Sequence, residues 1–326
     1  MRDPFSFPPE KTLTDSVCRS TIQQHITASE GQAIRLVCDS NQGGIPMAFR
    51  IRWLATACFE INLDGRKTIL IDPYLDDSVS APIRSDQIEG CDSILLTHGH
   101  YDHVLDVGKL AERFRPTIYC SQEVTNALIE HQGIDPERFT SISAGDTIHI
   151  DGLQVEVVRG VHVDFIAEYQ RLTGKEIAGE TGGDFSKMLR AGLEAFLGPI
   201  SPPEQLEEWM LKYPAGEQLN FVIDAGDGKR IYMAGSYPDP SLIEIARNTR
   251  SFMTLLQVIP GRTLQGMEEQ VVKFGLASGA QIIVPQHHDP LMMGANPTDL
   301  SKLRALFSKH DVEFLEFTPG RWYAYP

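Results

Sequence analysis

Apolar and polar positions change rhythm along this chain, and each change marks an element. From Met47, the run MAFRIRWLATACFEINLDGRKTILIDPYL holds two apolar-rich stretches around Leu63-Asp64-Gly65-Arg66. Asp-Gly is a favoured turn dipeptide, so a β-hairpin is expected there. A short apolar strand, Ser93 to Leu96, then runs into a histidine-rich loop. In VLDVGKLAERF, Val104, Leu105, Val107 and Leu110 are spaced with charges between them, the pattern of an amphipathic helix. PTIYCS reads as a strand, and SQEVTNALIEHQG as a helix capped by Ser121 and stopped by Gly133. TIHIDGLQVEVVRGVHV repeats the hairpin pattern around Asp151-Gly152. Residues 165–217 interrupt this order with two helical stretches and a Gly/Pro break, the second starting at Ser201 or Pro202. A hairpin over Gly226-Asp227-Gly228 follows, then a helix near Pro240 to Asn248 and the strand FMTLLQVIP. A helix around Met267 to Ala277 and the strand QIIVPQHHDP complete the pattern. Strands that alternate with helices in places and pair as hairpins elsewhere predict an α/β chain of mixed sheets with helices outside.

The texture before Met47 is different. Residues 1–46 mix Pro-rich, polar and Gly-rich stretches, with one short strand possible at AIRLVCD. They read as a partly irregular N-terminal extension, and 47–326 as one domain carrying the 165–217 helical insertion. A chain of 326 residues is long enough for a large core. No apolar run approaches the roughly 20 residues that span a bilayer, so no transmembrane segment is expected. The N-terminus lacks the apolar stretch of a secretory leader. Five cysteines (Cys18, Cys38, Cys58, Cys91, Cys120) are scattered without CxxC spacing, which excludes a zinc ribbon and a disulfide framework. A reducing cytoplasm is therefore the expected location. The formal net charge of −15 argues against a general nucleic-acid or anionic-membrane binder and leaves a small-molecule substrate as the expected partner.

The chemistry concentrates in Thr97-His98-Gly99-His100-Tyr101-Asp102-His103. Three imidazoles and a carboxylate within six residues are ligands typical of zinc, manganese and iron, and no thiolate suggests a structural zinc. A loop leaving a buried strand can turn several side chains toward one point. His98 and His100 can then face one ion, and Asp102 and His103 a second. The bland alternative is a polar loop with accidental histidines, which four ligand-type residues directly after an apolar strand disfavour.

This HxHxDH run resembles the signature of the metallo-β-lactamase superfamily, and the later motifs follow that family's order. The resemblance covers roughly Phe49 to Pro326. It implies a four-layer αβ/βα sandwich, two mixed sheets with helices on the outer faces and the metals at one sheet edge. It assigns Asp72, at the end of ILIDP, to supporting the metal loop from behind. It assigns His162 of VRGVHVDF to a three-histidine site with His98 and His100. His287 of IIVPQHHDP joins Asp102 and His103, with His288 a weaker candidate. RWLATACFEINLDGRKTILIDPYL is similar to one branch, the ascorbate-6-phosphate lactonase and N-acylphosphatidylethanolamine phospholipase D relatives. One element departs from the pattern: where the family's strand ends in Gly-Asp, RIYMAG is followed by Ser236. A neutral serine leaves two divalent ions less neutralised, so the second site is expected to be the weaker. Asp239 is a candidate substitute, although the same position suits a helix cap.

The expected activity is metal-dependent hydrolysis of an ester, lactone or phosphodiester bond, with one or two divalent ions, zinc first and manganese or iron as alternatives. Asp102 would orient or deprotonate the attacking water. Tyr101 sits where its phenol would reach substrate, or would pack beneath the loop. The alternative class is a metal-binding or regulatory protein of the same fold with impaired turnover, which Ser236 favours and the intact HxHxDH run disfavours.

Overall fold

The computed structural model describes residues 49–63, 67–150, 152–164, 203–258, 264–291 and 295–325, together with positions 167, 170, 171 and 174. The chain divides into two units, Met1–Gly44 and Ile45–Pro326, and all described residues belong to the second. The possible strand at AIRLVCD and the first insertion helix lie outside them.

The first sheet begins as an antiparallel meander of β1 (Phe49–Ala55), β2 (Cys58–Leu63) and β3 (Lys67–Ile71). The hydrophobic pattern suggested a single hairpin here. The chain makes three strands because it also turns at Thr56, whose backbone is left-handed at φ 49°. Three parallel strands extend the sheet: β4 (Ser93–Leu95), β5 (Thr117–Cys120) and β6 (Phe139–Ser141). The second sheet runs antiparallel through β7 (Thr147–Ile150), β8 (Leu153–Arg159), β9 (Leu219–Asp224) and β10 (Arg230–Ala234). It continues in parallel through β11 (Met253–Gln257), β12 (Ile282–Gln286) and β13 (Glu313–Phe314). The last strand, β14 (Tyr323–Tyr325), returns to the first sheet and pairs antiparallel with β1. Each sheet therefore has seven described strands, ordered β14-β1-β2-β3-β4-β5-β6 and β13-β12-β11-β10-β9-β8-β7.

Side-chain parity builds the layers. Ile51, Phe59, Ile71 and Leu95 of one sheet and Val157, Phe221, Met233 and Val284 of the other form a single buried cluster between the sheets. Alternate positions face outward. Leu70, Ile94 and Ile118 pack against α1 (Tyr101–Val104), α2 (Val107–Phe114), α3 (Gln122–Gln132) and α4 (Pro203–Lys212). Val222, Tyr232 and Ile283 pack against α5 (Ile243–Thr249), α6 (Glu268–Ala277) and α7 (Ser301–Phe307). The result is the four-layer αβ/βα sandwich. None of the described helices is long and apolar enough to cross a membrane.

Two local departures from the sequence pattern bear on the site. The second half of the histidine-rich run is helical: Tyr101 to Val104 form α1, so Asp102 and His103 sit on one short turn. The following helix starts at Val107 rather than Val104. Between them, buried Asp106 turns its carboxylate back to accept the N–H groups of Leu75 (2.7 Å) and Asp76 (3.0 Å). Ser121 does cap α3, accepting the Val124 N–H, and Gly133 ends it at φ 64°.

Candidate metal centre

Strands β3, β4, β8, β10 and β12 all deliver a residue of interest at or just past their C-terminal ends: Asp72, His98, His162, Ser236 and His287. Loops that leave strand ends at a common edge free side chains from strand alternation, so residues from both sheets can converge. Two of these positions bend sharply. Asp72 (φ 46°) and His287 (φ 64°) adopt the left-handed backbone that non-glycine residues usually avoid.

The convergence produces two groups. His98, His100 and His162 offer nitrogen atoms within 4.8 Å of one another, and a carboxylate oxygen of Asp102 lies equally close to nitrogens of His103 and His287. In the first group, His162 Nε2 lies 3.1 Å from His100 Nδ1. In the second, Asp102 Oδ2 lies 3.1 Å from His287 Nε2 and 3.6 Å from His103 Nε2. The groups adjoin, with the His98 and His103 ring centroids 3.9 Å apart.

Outer contacts fix the rings. Asp72, fully buried, accepts from the Thr97 N–H (2.8 Å), the Thr97 hydroxyl (2.6 Å) and His103 Nδ1–H (2.8 Å). That bond orients His103 with Nε2 toward Asp102. Thr97 Oγ1 also lies 3.1 Å from His98 Nδ1. His162 Nδ1–H donates to the Val163 carbonyl at 2.9 Å. The His287 N–H donates to the Thr56 carbonyl (2.8 Å), and the Thr56 N–H donates to Asp289 at 3.0 Å. The extra turn in the first sheet thus anchors the last histidine.

Residues the motif reading left out complete the scaffold. Gly99 donates its N–H to the Ala215 carbonyl at 2.8 Å, and a Cβ there would stand 2.1 Å from the Pro214 carbonyl oxygen. Gly235 is similarly pressed by Thr97, whose Cγ2 would lie 2.8 Å from an added Cβ. The end of the 165–217 insertion is therefore part of the domain core: Leu206 and Tyr213 are buried in the outer layer, and Trp209 packs against it. Glycine and threonine inside the motif were the available signals, and neither indicates its partner.

The remaining candidates fall into place individually. Tyr101 is buried beneath the loop, stacked on Trp209 (ring centroids 5.2 Å) and edge-on to Tyr74 (5.9 Å). Packing, the alternative to substrate contact, accounts for it. Asp239 caps the helical turn Pro240–Leu242, accepting the Ser241 N–H at 2.8 Å. That bond occupies the carboxylate considered as a stand-in ligand. His288 stacks on Trp53 with centroids 4.8 Å apart and stands outside both groups. Ser236 is buried and hydrogen-bonded to Asn220 and to the backbone of Val161.

Burial and crowding set the protonation of the cluster. His98 is driven below the usual imidazole range by burial and then by its imidazole neighbours. His100 falls to about 3, through burial and then His162. His162 is lowered by burial in the same way. Neutral imidazole is the metal-binding form. Burial alone would raise the Asp102 carboxyl, but His103 and His287 outweigh it and hold the group ionised. Burial would likewise depress His103, yet Asp72 and Asp102 reverse that and raise it.

Comparison with known proteins agrees with this architecture. Residues 51–184 match the model of the Metallo-beta-lactamase superfamily. A UPF0173 metal-dependent hydrolase of Myxococcus xanthus is 27% identical over 260 residues, 78% of this chain and 77% of that protein. Another, from Roseiflexus sp., is 33% identical over 118 residues, 34% of this chain and 47% of that protein. This chain thus spans about half the length of several of the curated relatives it matches. Igni18, a novel metallo hydrolase from the hyperthermophilic archaeon Ignicoccus hospitalis, shares the fold. Its TM-score is 0.59 at 16% identity, covering 86% of this chain and 99% of that one. The fold is that of a metallo-β-lactamase sandwich. Over residues 51–184 the chain is similar to the metallo-β-lactamase superfamily.

Proposed function

We propose that this protein is a metal-dependent hydrolase that cleaves an ester, lactone or phosphodiester bond in a small molecule. The observation that carries the reading is the pair of adjoining ligand groups, His98/His100/His162 and Asp102/His103/His287. Relatives named metal-dependent hydrolases support the same reading.

The donors suit a divalent transition metal. The three imidazoles of the first group are held neutral, so their lone pairs are available. The 3.1 Å between His162 Nε2 and His100 Nδ1 is close to the edge, about 3.3 Å, of a tetrahedron with bonds of about 2.05 Å. A nitrogen and carboxylate set without thiolate fits zinc first, then manganese or iron. Such an ion supplies Lewis acidity, which lowers the pKa of water and polarises a carbonyl or phosphoryl group. The residues do the rest. His98, His100 and His162 bind and orient. Asp102, ionised and facing His287, would orient the attacking water by accepting its hydrogen bond, or take up its proton. Asp72 keeps His103 from rotating. Cys58, Cys91 and Cys120 are free and buried, in keeping with a cytoplasmic site of action.

The test pairs metal analysis of protein purified without added metal with hydrolysis of p-nitrophenyl acetate, a γ-lactone and bis-p-nitrophenyl phosphate. Wild type is expected to carry metal and turn over at least one probe. His98→Ala and His100→Ala are expected to lose both properties. Full metal occupancy in the double variant would refute the site. Metal without turnover on any ester, lactone or phosphodiester would favour a binding or regulatory role instead.

A further inference from the structure

His162 is the one member of the three-imidazole group that comes from the second sheet, and it directly precedes the insertion. Its aim depends on how the short segment after β8 is held. Three hydrogen bonds, from the start of β9 and the end of β10, hold it. The Gly160 N–H donates to the Gln218 carbonyl at 2.8 Å, and the Tyr237 N–H donates to the Val161 carbonyl at 2.9 Å. The Val161 N–H donates to Ser236 Oγ at 3.2 Å. Space is as restricted as the bonding: a Cβ on Gly160 would stand 2.4 Å from Ser236 Oγ and 2.5 Å from Gln218 Cγ.

The direction of the hydrogen bonds around Ser236 is determined by its neighbours. Asn220 Nδ2 donates to the Tyr232 hydroxyl at 3.1 Å, which places Oδ1 on the other side of the amide. Ser236 Oγ then donates its single proton to Asn220 Oδ1 at 2.8 Å. A lone pair of the same oxygen takes the Val161 N–H. Asn220, Tyr232 and Ser236 are all buried, so water does not compete for these bonds. The serine hydroxyl is committed on both counts and has no proton left for a substrate.

We propose that Ser236 is a positioning residue for His162, and that the chain Tyr232–Asn220–Ser236–Val161 holds the second-sheet imidazole in register with His98 and His100. The inference rests on the metal-centre reading above and assigns it a further part.

The experiment measures zinc affinity of the full-length protein by competition with a chromogenic chelator, with the melting temperature of the metal-free protein alongside. Ser236→Ala is expected to weaken zinc at the three-imidazole group by about 10–100-fold, the usual effect of removing an outer contact of a ligand. Ser236→Thr, which keeps the hydroxyl, is expected to restore most of it. In a His162→Ala background, Ser236→Ala is expected to add almost nothing, because it acts through His162. Unchanged affinity in Ser236→Ala, or an equal further loss in the His162→Ala background, would overturn the assignment. A melting-temperature drop with zinc affinity intact would show that the chain is merely structural and overturn it as well. If Ser236→Ala does not fold, Ser236→Cys preserves the volume, weakens both bonds and is read the same way. Wild type that binds no zinc, manganese or iron would refute the metal-centre reading itself, a separate result.

Discussion

Gly99 offers the sharpest test of how the metal loop is held. It lies between His98 and His100, and its N–H is bonded to Ala215 while the Pro214 carbonyl covers its α-carbon. In Gly99→Ala the new methyl meets that oxygen at 2.1 Å, where ordinary contact begins at 3.4 Å, and meets Val124 Cγ2 at 2.9 Å. The valine can rotate, but the carbonyl is backbone and must move by more than an ångström. Overpacking of this kind costs about 1–3 kcal/mol. Losing the Gly99–Ala215 hydrogen bond adds about 1 kcal/mol. At about 2 °C per kcal/mol for a domain of this size, the melting temperature should fall by about 4–8 °C. The strain falls on the two flanking histidines, so zinc affinity should drop by at least tenfold. Differential scanning calorimetry and chelator competition measure the two effects. A variant with wild-type stability and affinity would mean that the Pro214–Ala215 segment does not press on the loop.

Other expectations follow from the same geometry. Asp72→Asn removes the charge that orients His103 and should weaken metal at the Asp102/His103/His287 group by about 10–100-fold, read by chelator competition, with no change in fold by circular dichroism. Two divalent ions place four positive charges against Asp102 and Asp72, with none from Ser236, so dialysed protein should retain one ion tightly and the second weakly. Elemental analysis showing two retained ions would contradict this. Folded-state values for His98, His100 and His162 lie below the unfolded 6.5, so the unfolded chain binds more protons on acidification. Metal-free protein should therefore lose stability from about pH 6.5 down toward about 3, where His100 titrates. His103 opposes this, its contribution being lost as pH rises through its raised value, but three imidazoles outnumber it. A melting temperature that rises on acidification would contradict the assignment. Deleting 203–215 should lower both stability and metal affinity, because Leu206 and Tyr213 are core residues and Ala215 bonds the metal loop.

How much of this was legible in the sequence follows from the range of each signal. The HxHxDH run announces itself by residue type after a strand, and the family resemblance pointed to Asp72, His162 and His287; the structure brings the two histidines and the run into two adjoining groups, with Asp72 behind His103. Hairpins at Asp151-Gly152 and Gly226-Asp227-Gly228 were readable because turn chemistry is local. The break at Thr56 was not, since WLATACF is apolar throughout and its turn is stabilised by Asp289, 233 residues away. Strands β6, β13 and β14 have only two or three residues each, too few for a period to register. The scaffold role of the insertion's end was hidden for a related reason. Leu206, Trp209 and Tyr213 show an apolar face, but not whether a lid or a core receives it. Ser236 looked like a deficit against the family pattern, and its partners Asn220 and Val161 are set by sheet register.

The ligand groups draw on both sheets: His98, His100, Asp102 and His103 leave the first, His162 and His287 the second. An ion held by His98, His100 and His162 would tie chain segments that are remote in sequence, much as a covalent cross-link does. Unlike a covalent link it would act on the folded chain alone, which presents the site, and would resist separation of the two halves of the sandwich. Removing metal should accordingly accelerate hydrogen exchange at the β4 and β8 ends while leaving the far edge of each sheet unchanged. Catalytic ligation and mechanical cohesion would be one and the same property of this edge.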